Sequence, residues 1–295
     1  MDSRTDRPLV TTAFVFAGGG SLGSIQVGML QALIETGLVP DVVVGSSVGA
    51  LNAAYFAGAP NAEGVSRLAN IWTGLRRADI FPLSLFGLFG VLRRSDSIVD
   101  PGRLRHLLQT HLTFDRIEDA GVPLNVMATD QQGAGVRLSA GDAVEAILAS
   151  AAVPGVFPPV TIDGRPLMDG AIAANTPLRM AAELGATRIV VLPTGYACAL
   201  RAPPMGVIAR VLHALTLLLA WQLMHEIETM PATVEVHVAP ALCPLAVSPY
   251  DFTATRELIE RAHQNTKTWI DRGGLTRPAR AKELAEHHHR DPVES

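Results

Sequence analysis

The chain has little of what builds disulfide-stapled, metal-bound or nucleic-acid-binding proteins. Its 295 residues contain two cysteines, Cys198 and Cys243, which are too few for a disulfide framework or a cysteine metal site. Its 28 acidic residues outnumber its 24 basic ones, and the net charge of −4 gives no electrostatic reason to bind nucleic acid. We therefore expect reduced, structural cysteines and no nucleic-acid partner.

The sequence also predicts neither a leader peptide nor an apolar run long enough to span a membrane. Residues 1–8 are polar and charged, without the apolar centre of a signal peptide. The long apolar stretch at residues 205–230 favours a buried or partner-facing helix over a membrane span, because four polar side chains interrupt it: Arg210, His213, Gln222 and His225. We expect a cytoplasmic protein. Whether this helix caps a substrate channel or joins copies into a homo-oligomer stays open.

The chain is rich in hydrophobic residues, which make up 48% of it and are enough to form a large core. One apolar segment is unusual: it begins at Ile80, ends at Leu92, contains proline and glycine, and precedes two arginines. At 13 residues it is shorter than the roughly 20 that a bilayer span needs. Its aromatic residues suit an interface, so residues 80–92 are predicted to be a flap or to contact the inner membrane peripherally, with a core helix as the alternative.

Strands and helices alternate at the start of the chain. Residues 10–17 read as a strand, residues 24–36 as a helix closed by Gly37, and residues 41–45 as a second strand leading into another helix. This order predicts a parallel α/β sheet, in which sites form at the carboxyl ends of the strands. We expect one domain over residues 8–275 and a charged tail over residues 276–295.

Further elements are predicted along the rest of the chain. Helical patterns cover residues 61–76, 101–111, 142–151 and 251–270. Strands are predicted at residues 122–129, 135–139, 160–162, 165–168, 187–193 and 234–238, with the 160–168 pair forming a hairpin.

The second strand runs into Gly45-Ser46-Ser47-Val48-Gly49, a G-x-S-x-G frame between a β-branched run and a helix-forming stretch. The frame places Ser47, rather than Ser46, at the apex of a strained turn that the flanking glycines permit. Its hydroxyl would then lie at a helix N-terminus, where developing negative charge is favoured. Ser47 is a candidate nucleophile; the alternative is a plain strand-to-helix turn.

The first strand runs into Gly18-Gly19-Gly20-Ser21-Leu22-Gly23, which also matches the G-x-G-x-x-G dinucleotide fingerprint. A nucleotide-binding unit of that type needs an acidic residue at the end of the second strand. The acid near that strand, Asp41, stands at its start. The fingerprint is half present, and a Rossmann protein is the less favoured reading. The other reading is that the backbone amides of Gly18, Gly19 and Gly20 form an oxyanion hole, each donor being worth about 10²–10³ in rate.

A serine nucleophile needs a base. The late histidines, His213, His225, His237 and His263, lie in helical stretches or within a strand, and we read them as structural. The better partner is Asp169, on a hairpin exit beside Gly170. Apolar surroundings from residues 154–159 would raise its pKa by desolvation. Taken alone, Asp169-Gly170 is only a turn.

Together these three glycine-containing motifs, in this order, resemble the signatures of the patatin-like phospholipase family. The segment Ala149-Ser150-Ala151-Ala152-Val153-Pro154-Gly155-Val156-Phe157-Pro158-Pro159 is similar to bacterial members, and the resemblance covers roughly residues 14–192. It implies a three-layer α/β/α fold with a mainly parallel central sheet. One departure is Leu22, where many members carry Arg or Lys, which puts in doubt any charged contact from that loop.

The resemblance also implies a function. Ser47 would be the nucleophile and Asp169 the general base of a dyad without histidine, Gly18 to Gly20 the oxyanion hole, and Gly23, Gly45, Gly49 and Gly170 supporting motif positions. The implied activity is hydrolysis of fatty-acyl esters in phospholipids, lysophospholipids or related lipids, through an acyl-enzyme and without metal or cofactor. The alternative is a non-catalytic lipid- or partner-binding module on the same fold, which the apolar residues 80–92 and 205–224 motivate.

Overall fold

The computed structural model describes residues 11–80, 99–195, 207–243, 245, 247, 251–281 and 284. In this part of the chain one mixed sheet has the strand order β5-β6-β3-β2-β1-β7-β8, with β4 paired to β3. Its strands are β1 (Thr12–Phe16), β2 (Val42–Ser46), β3 (Leu124–Asp130), β4 (Gly135–Leu138), β5 (Val160–Ile162), β6 (Arg165–Asp169), β7 (Arg188–Leu192) and β8 (Glu235–Val238). Strands β3, β2, β1, β7 and β8 pair in parallel, whereas β4 and β6 run antiparallel to β3, and β5 antiparallel to β6.

Helices cover both faces of this sheet. They are α1 (Gly23–Glu35), α2 (Val48–Gly58), α3 (Ala62–Gly74), α4 (Arg77–Ile80), α5 (Gly102–His111), α6 (Ala143–Ser150), α7 (Ala171–Ala174), α8 (Leu178–Glu183), α9 (Val207–Glu228) and α10 (Thr255–Asp271). Short 3₁₀ turns occupy Gly20–Leu22 and Ile117–Asp119. Side-chain caps begin two of the helices: Asn61 accepts a hydrogen bond from the Gly64 N–H, and Asp142 from the Glu145 N–H.

Alternate residues of β1 enter two separate cores. Phe14 and Phe16 pack into one core with α1, α2, α3 and α10, whereas Ala13 and Val15 pack into another with α8 and α9. A strand buried on both faces is mostly apolar along its length, which is why residues 13–16 read as a continuous apolar run. The predicted α/β/α layering is confirmed, and the predicted elements agree with the observed ones to within a few residues at each end. The short helices α4, α7 and α8 were not predicted.

Strand register at β3 brings two distant chain ends together. Met127 of β3 pairs with Ser46, the last residue of β2. The next residue, Ala128, pairs with Asp169, the last residue of β6. Because β2 and β6 run in opposite directions beside β3, their carboxyl ends meet there. Ser47, which follows Ser46, is thereby placed beside Asp169.

Part of the chain beyond residue 275 packs against the domain. The Ala279 N–H donates to the Val236 carbonyl of β8 at 2.7 Å, and Ala281 is buried. The chain after α10 therefore returns to the edge strand of the sheet, beyond the domain boundary at residue 275, which stays a prediction. The rest of the predicted tail lies almost wholly outside the described residues.

Two apolar segments had open roles. Of residues 80–92 only Ile80 is described, so the predicted flap lies outside the described residues. In α9, Leu223 is buried in the second core, whereas Leu215, Leu217, Leu218 and Trp221 are exposed. No described helix combines the length and the hydropathy that crossing a bilayer requires.

Candidate active site

Ser47 lies at the sharp turn between β2 and α2. Its backbone has φ 55° and ψ −129°, a left-handed conformation that costs a residue with a side chain about 1–3 kcal/mol. The two glycines of the frame allow the turn to close. A Cβ on Gly45 would lie 2.5 Å from the Gly49 carbonyl oxygen, and one on Gly49 would lie 2.3 Å from the Phe16 carbonyl oxygen. The frame is therefore required by close backbone packing, as the sequence predicted.

The Ser47 hydroxyl donates directly to the Asp169 carboxylate, with Oγ and Oδ2 2.7 Å apart. Asp169 is 3% exposed and Ser47 9% exposed, so the pair lies at the edge of the protein interior. Ser46 is fully buried and, unlike Ser47, does not line the neighbouring cavity. Two residues that are 122 positions apart in sequence form one hydrogen-bonded pair, which is the contact a serine nucleophile and its base require.

Burial raises the pKa of Asp169 to about 6 from an ordinary value of 3.8. The hydrogen bonds from Ser47 and from the Ala171 N–H lower this pKa, but burial outweighs them. A carboxylate with a pKa near 6 is a stronger base than an exposed one and is still mostly ionised at neutral pH.

The glycine loop lies against the pair. A Cβ on Gly18 would lie 3.1 Å from the Ser47 Cβ and 2.6 Å from the Asn175 side-chain oxygen. The predicted set of three oxyanion donors needs one correction, because the Gly18 N–H donates to the Asn175 carbonyl at 3.1 Å. Gly19 and Gly20 remain as candidate donors. Gly20, at φ 60°, lines the same cavity as Ser47.

Two residues hold the pair in place and were not identified from the sequence. Ser150, at the end of α6, accepts the Ser47 N–H at 2.8 Å and donates to the Met127 carbonyl at 2.5 Å. Thr129 donates to the Asp169 carbonyl at 2.7 Å. A signal for Ser150 was present in the segment of residues 149–159 that resembles bacterial patatin-like proteins, but spacing alone does not show which backbone group a serine contacts.

Ser47 opens onto an apolar cavity of about 160 Å³. Helices α2, α3, α4 and α5 and the loop after α6 supply most of its wall, and Phe252 supplies another part. The lining residues are Gly20, Ser47, Val48, Leu51, Trp72, Leu75, Ile80, Leu104, Leu107, Ala151, Val153, Val156, Phe157 and Phe252. Apart from the Ser47 hydroxyl and the Trp72 indole N–H, these side chains are apolar or absent. Asp169 lies behind Ser47 rather than in the cavity wall.

Residues considered for the alternative sites, Asp41 and two of the late histidines, have other contacts in the structure. Asp41 accepts the Thr12 N–H at 2.7 Å, at the amino end of β1 and away from the site. His237 contacts the Gly274 carbonyl, and His263 contacts Glu35. The described part of the chain holds no group of three or more potential metal ligands.

Three other positions that the sequence singled out, two of them in the glycine loop, also have a structural explanation. Leu22 is buried in the first core, so it cannot supply the charged contact that Arg or Lys would make. A Cβ on Gly23 would lie 2.7 Å from Val48 and 2.9 Å from the Trp72 ring. A Cβ on Gly170 would lie 2.2 Å from the Met127 carbonyl oxygen. These two glycines therefore allow close packing around the site.

A buried serine–aspartate pair therefore lies at a strand-to-helix turn, beside a glycine loop and an apolar cavity. The sequence matches the family described as Patatin-like phospholipase over residues 14–182, more than half of the chain. The chain belongs to the patatin-like phospholipase family.

Curated relatives match part of this chain. Patatin-like phospholipase domain-containing protein 7 of Rattus norvegicus is 27% identical over 186 residues, which cover 62% of this chain and 13% of the relative. Neuropathy target esterase sws of Drosophila melanogaster is 30% identical over 187 residues, covering 61% of this chain and 13% of the relative. The chain thus spans less than a fifth of the length of these relatives.

Solved structures to which this chain is similar include VipD from Legionella pneumophila, with a TM-score of 0.48, 14% identity and coverage of 90% of this chain and 67% of that one. Human GIVD cytosolic phospholipase A2, in complex with methyl gamma-linolenyl fluorophosphonate, has a TM-score of 0.46, 12% identity and coverage of 98% and 61%.

Proposed function

We propose that this chain is a serine lipid acyl hydrolase that cleaves fatty-acyl esters of phospholipids or lysophospholipids. The observation that carries the proposal is the 2.7 Å hydrogen bond between the Ser47 hydroxyl and the buried Asp169 carboxylate, beside an apolar cavity. The family and the names of the relatives support ester hydrolysis on lipids as the reaction class.

In the first half of the proposed reaction, Asp169 takes the Ser47 proton as Oγ attacks the ester carbonyl carbon. The carbonyl oxygen becomes an oxyanion, for which the amides of Gly19 and Gly20 are the proposed donors. Collapse of this intermediate breaks the ester C–O bond, and the alcohol leaves with the proton that Asp169 held. The product on the protein is an acyl ester of Ser47.

In the second half, Asp169 takes a proton from water, and the resulting hydroxide attacks the acyl carbonyl. The Ser47 oxygen leaves and regains a proton from Asp169, and the fatty acid is released. One carboxylate therefore acts as base and acid in each half, which a pKa near 6 suits at neutral pH.

The cavity supports an acyl chain as the group that is bound. It is lined almost entirely by aliphatic and aromatic side chains, and burying apolar substrate surface there contributes about 25 cal/mol per Å². Contact with the inner face of a membrane through residues 80–92 stays a prediction, because only Ile80 of that segment is described. The Ile80 side chain lines this cavity.

The test is turnover of a p-nitrophenyl acyl ester by the full chain, with Ser47→Ala and Asp169→Asn as variants. Each variant should lower kcat by several orders of magnitude, about 10⁴–10⁶ by analogy with other serine nucleophiles and their partners. For the unaltered chain, kcat/KM should rise with pH through about 6, because Asp169 must be ionised to act as base.

Ser46→Ala is the matched control, because Ser46 is the neighbouring serine and does not line the cavity. It should keep turnover and fluorophosphonate labelling, whereas Ser47→Ala should lose both. Turnover retained by Ser47→Ala or Asp169→Asn would refute the dyad. Lipid binding by the unaltered chain without labelling of Ser47 would instead identify a non-catalytic lipid-binding module.

A further inference from the structure

Three buried polar side chains connect the cavity wall to the protein interior behind the glycine loop. Trp72 lines the cavity, and its indole N–H donates to the Asn52 side-chain oxygen at 2.8 Å. The Asn52 amide nitrogen donates to the Gln26 side-chain oxygen at 2.7 Å. These side chains come from α3, α2 and α1, and their residues are 2%, 0% and 0% exposed.

Both ends of this chain of hydrogen bonds fix the direction of the amides. An indole N–H can only donate, so Asn52 must turn its oxygen toward Trp72 and its nitrogen toward Gln26. The Asn52 nitrogen also donates to the Gly23 carbonyl at 2.9 Å. Gln26 then donates with both of its N–H bonds to carbonyl oxygens, which can only accept. Every polar group of the three side chains is satisfied in one arrangement, so the network is rigid.

The two carbonyls that Gln26 holds flank the glycine loop. They belong to Ala17 and Leu192, at the carboxyl ends of β1 and β7, and each lies 2.8 Å from the Gln26 amide nitrogen. Ala17 directly precedes Gly18. Two residues after Leu192, the Thr194 hydroxyl donates to the Gly18 carbonyl at 2.6 Å. Gln26 therefore holds both segments that set the position of the loop beside Ser47.

We propose that Trp72, Asn52 and Gln26 form a positioning relay that ties the wall of the substrate cavity to the glycine loop. In this relay Trp72 is a positioning residue for ester hydrolysis as well as a part of the cavity wall. The proposal rests on the proposed function and adds residues that touch neither Ser47 nor Asp169 through a hydrogen bond.

Packing alone does not account for the three residues. Glutamine and asparagine must lose their hydration to enter the core, and an apolar side chain of similar size would fill the same volume without that cost. A fully satisfied polar network instead restricts the surrounding backbone to one arrangement. In this protein the restricted backbone is the start of the loop that carries the proposed oxyanion donors.

The test separates the hydrogen bond of Trp72 from its role as a wall. Trp72→Phe keeps an aromatic ring but removes the hydrogen-bond donor to Asn52. Phe252 lies in the same wall, where its ring stacks on that of Trp72 with the centroids 6.2 Å apart. Phe252→Leu therefore makes this wall smaller at a side chain that has no hydrogen-bonding group. With a p-nitrophenyl ester of a medium-length acyl chain, Trp72→Phe should lower kcat about tenfold with little change in KM, because the loop is displaced rather than lost. Phe252→Leu should mainly raise KM.

The relay also predicts non-additivity. Asn52→Leu already breaks the connection, so adding Trp72→Phe should lower kcat by less than a further twofold or so. A folded Trp72→Phe variant, shown by its Tm, that keeps the kcat of the unaltered chain would overturn the relay. So would losses of kcat that multiply in the double variant.

Gln26→Met supplies a second route if Trp72→Phe does not fold, since it removes the donor at the other end with a side chain of similar length. It too should lower kcat with little change in KM, and an unchanged kcat would overturn the relay. If the unaltered chain shows no turnover on any acyl ester, the proposed function fails and the relay with it. Turnover by the unaltered chain with an unchanged kcat in these variants defeats the relay alone.

Discussion

At the scale of single residues, the site depends on a carboxylate that the fold buries at a cost. Asp169 accepts hydrogen bonds from Ser47 and the Ala171 N–H, yet burial still raises its pKa to about 6. The folded protein therefore holds the proton on Asp169 more tightly than the unfolded chain does. Stability is lost as the pH rises through about 6, where the buried carboxyl must ionise. A reactive base and a stable protein are in conflict at this position.

Asp169→Asn should consequently be more stable than the unaltered chain at pH 7, by up to about 3 kcal/mol for a pKa raised from 3.8 to about 6. The gain should shrink as the pH falls from 6 toward 4, and vanish below that, because the carboxyl is then protonated in both states. Urea unfolding at a series of pH values measures it. Asp115→Asn, the same substitution at an exposed position, is the control and should change stability by less than about 0.5 kcal/mol. A destabilised Asp169→Asn at pH 7 would contradict the argument.

At the scale of elements, the site depends on how closely the strand-turn-helix unit packs on its neighbour. Helix α2 begins against the end of β1, and Gly49 is the point of contact, with the Phe16 and Ala17 carbonyl oxygens within 2.3 and 2.6 Å of a Cβ placed there. Ser47 is held in its left-handed conformation by this packing and by Ser150, which accepts its N–H. The strain of the turn is thus offset by contacts from other elements.

Gly49→Ala should lower the free energy of unfolding by about 2 kcal/mol or more, because neither backbone oxygen can move without shifting β1. Gly74→Ala is the matched control. It lies at the exposed end of α3 with nothing within 4 Å of its Cβ position, so it should be neutral or stabilising by up to about 1 kcal/mol. Thermal unfolding of both variants measures the difference, and similar Tm values for the two would show that the turn tolerates a side chain.

At the scale of the whole molecule, the site lies where the parallel and antiparallel parts of one sheet meet. Strands β2 and β3 belong to the parallel part, and β6 joins β3 from the opposite direction. The two cores on either side bury β1 completely, which makes the sheet a rigid base for the turn at Ser47. The chain also closes on itself after α10, where Ala279 hydrogen-bonds to β8.

The packing of the chain after α10 against β8 can be tested by placing glutamine at each of two adjacent positions. Ala281→Gln places an amide at a buried position and should destabilise the protein by about 1–3 kcal/mol. Arg280→Gln, at an exposed position, should change stability by less than about 0.5 kcal/mol. Chemical denaturation of the full chain compares them. Equal stability of the two variants would mean that residues 276–281 behave as a solvated tail after all.

The sequence by itself determined the local structure and the candidate residues. Apolar runs marked the strands, helical spacing marked the long helices, and the glycine frames selected Ser47, Asp169 and the loop at Gly18, because each depends on backbone conformations that a few neighbouring residues dictate. A short helix such as α7 escaped prediction, since four residues do not establish a period.

Only the tertiary structure decided which distant groups meet. The register of β3 brings Asp169 to Ser47, the Asn175 carbonyl takes the Gly18 N–H, and Gln26 reaches the ends of two strands. The return of residues 276–281 to β8 is likewise set by the edge of the sheet, although their composition is that of a charged tail. Hydrogen bonds between residues far apart in the chain depend on strand order and pairing, which leave no periodic pattern in the sequence around either partner.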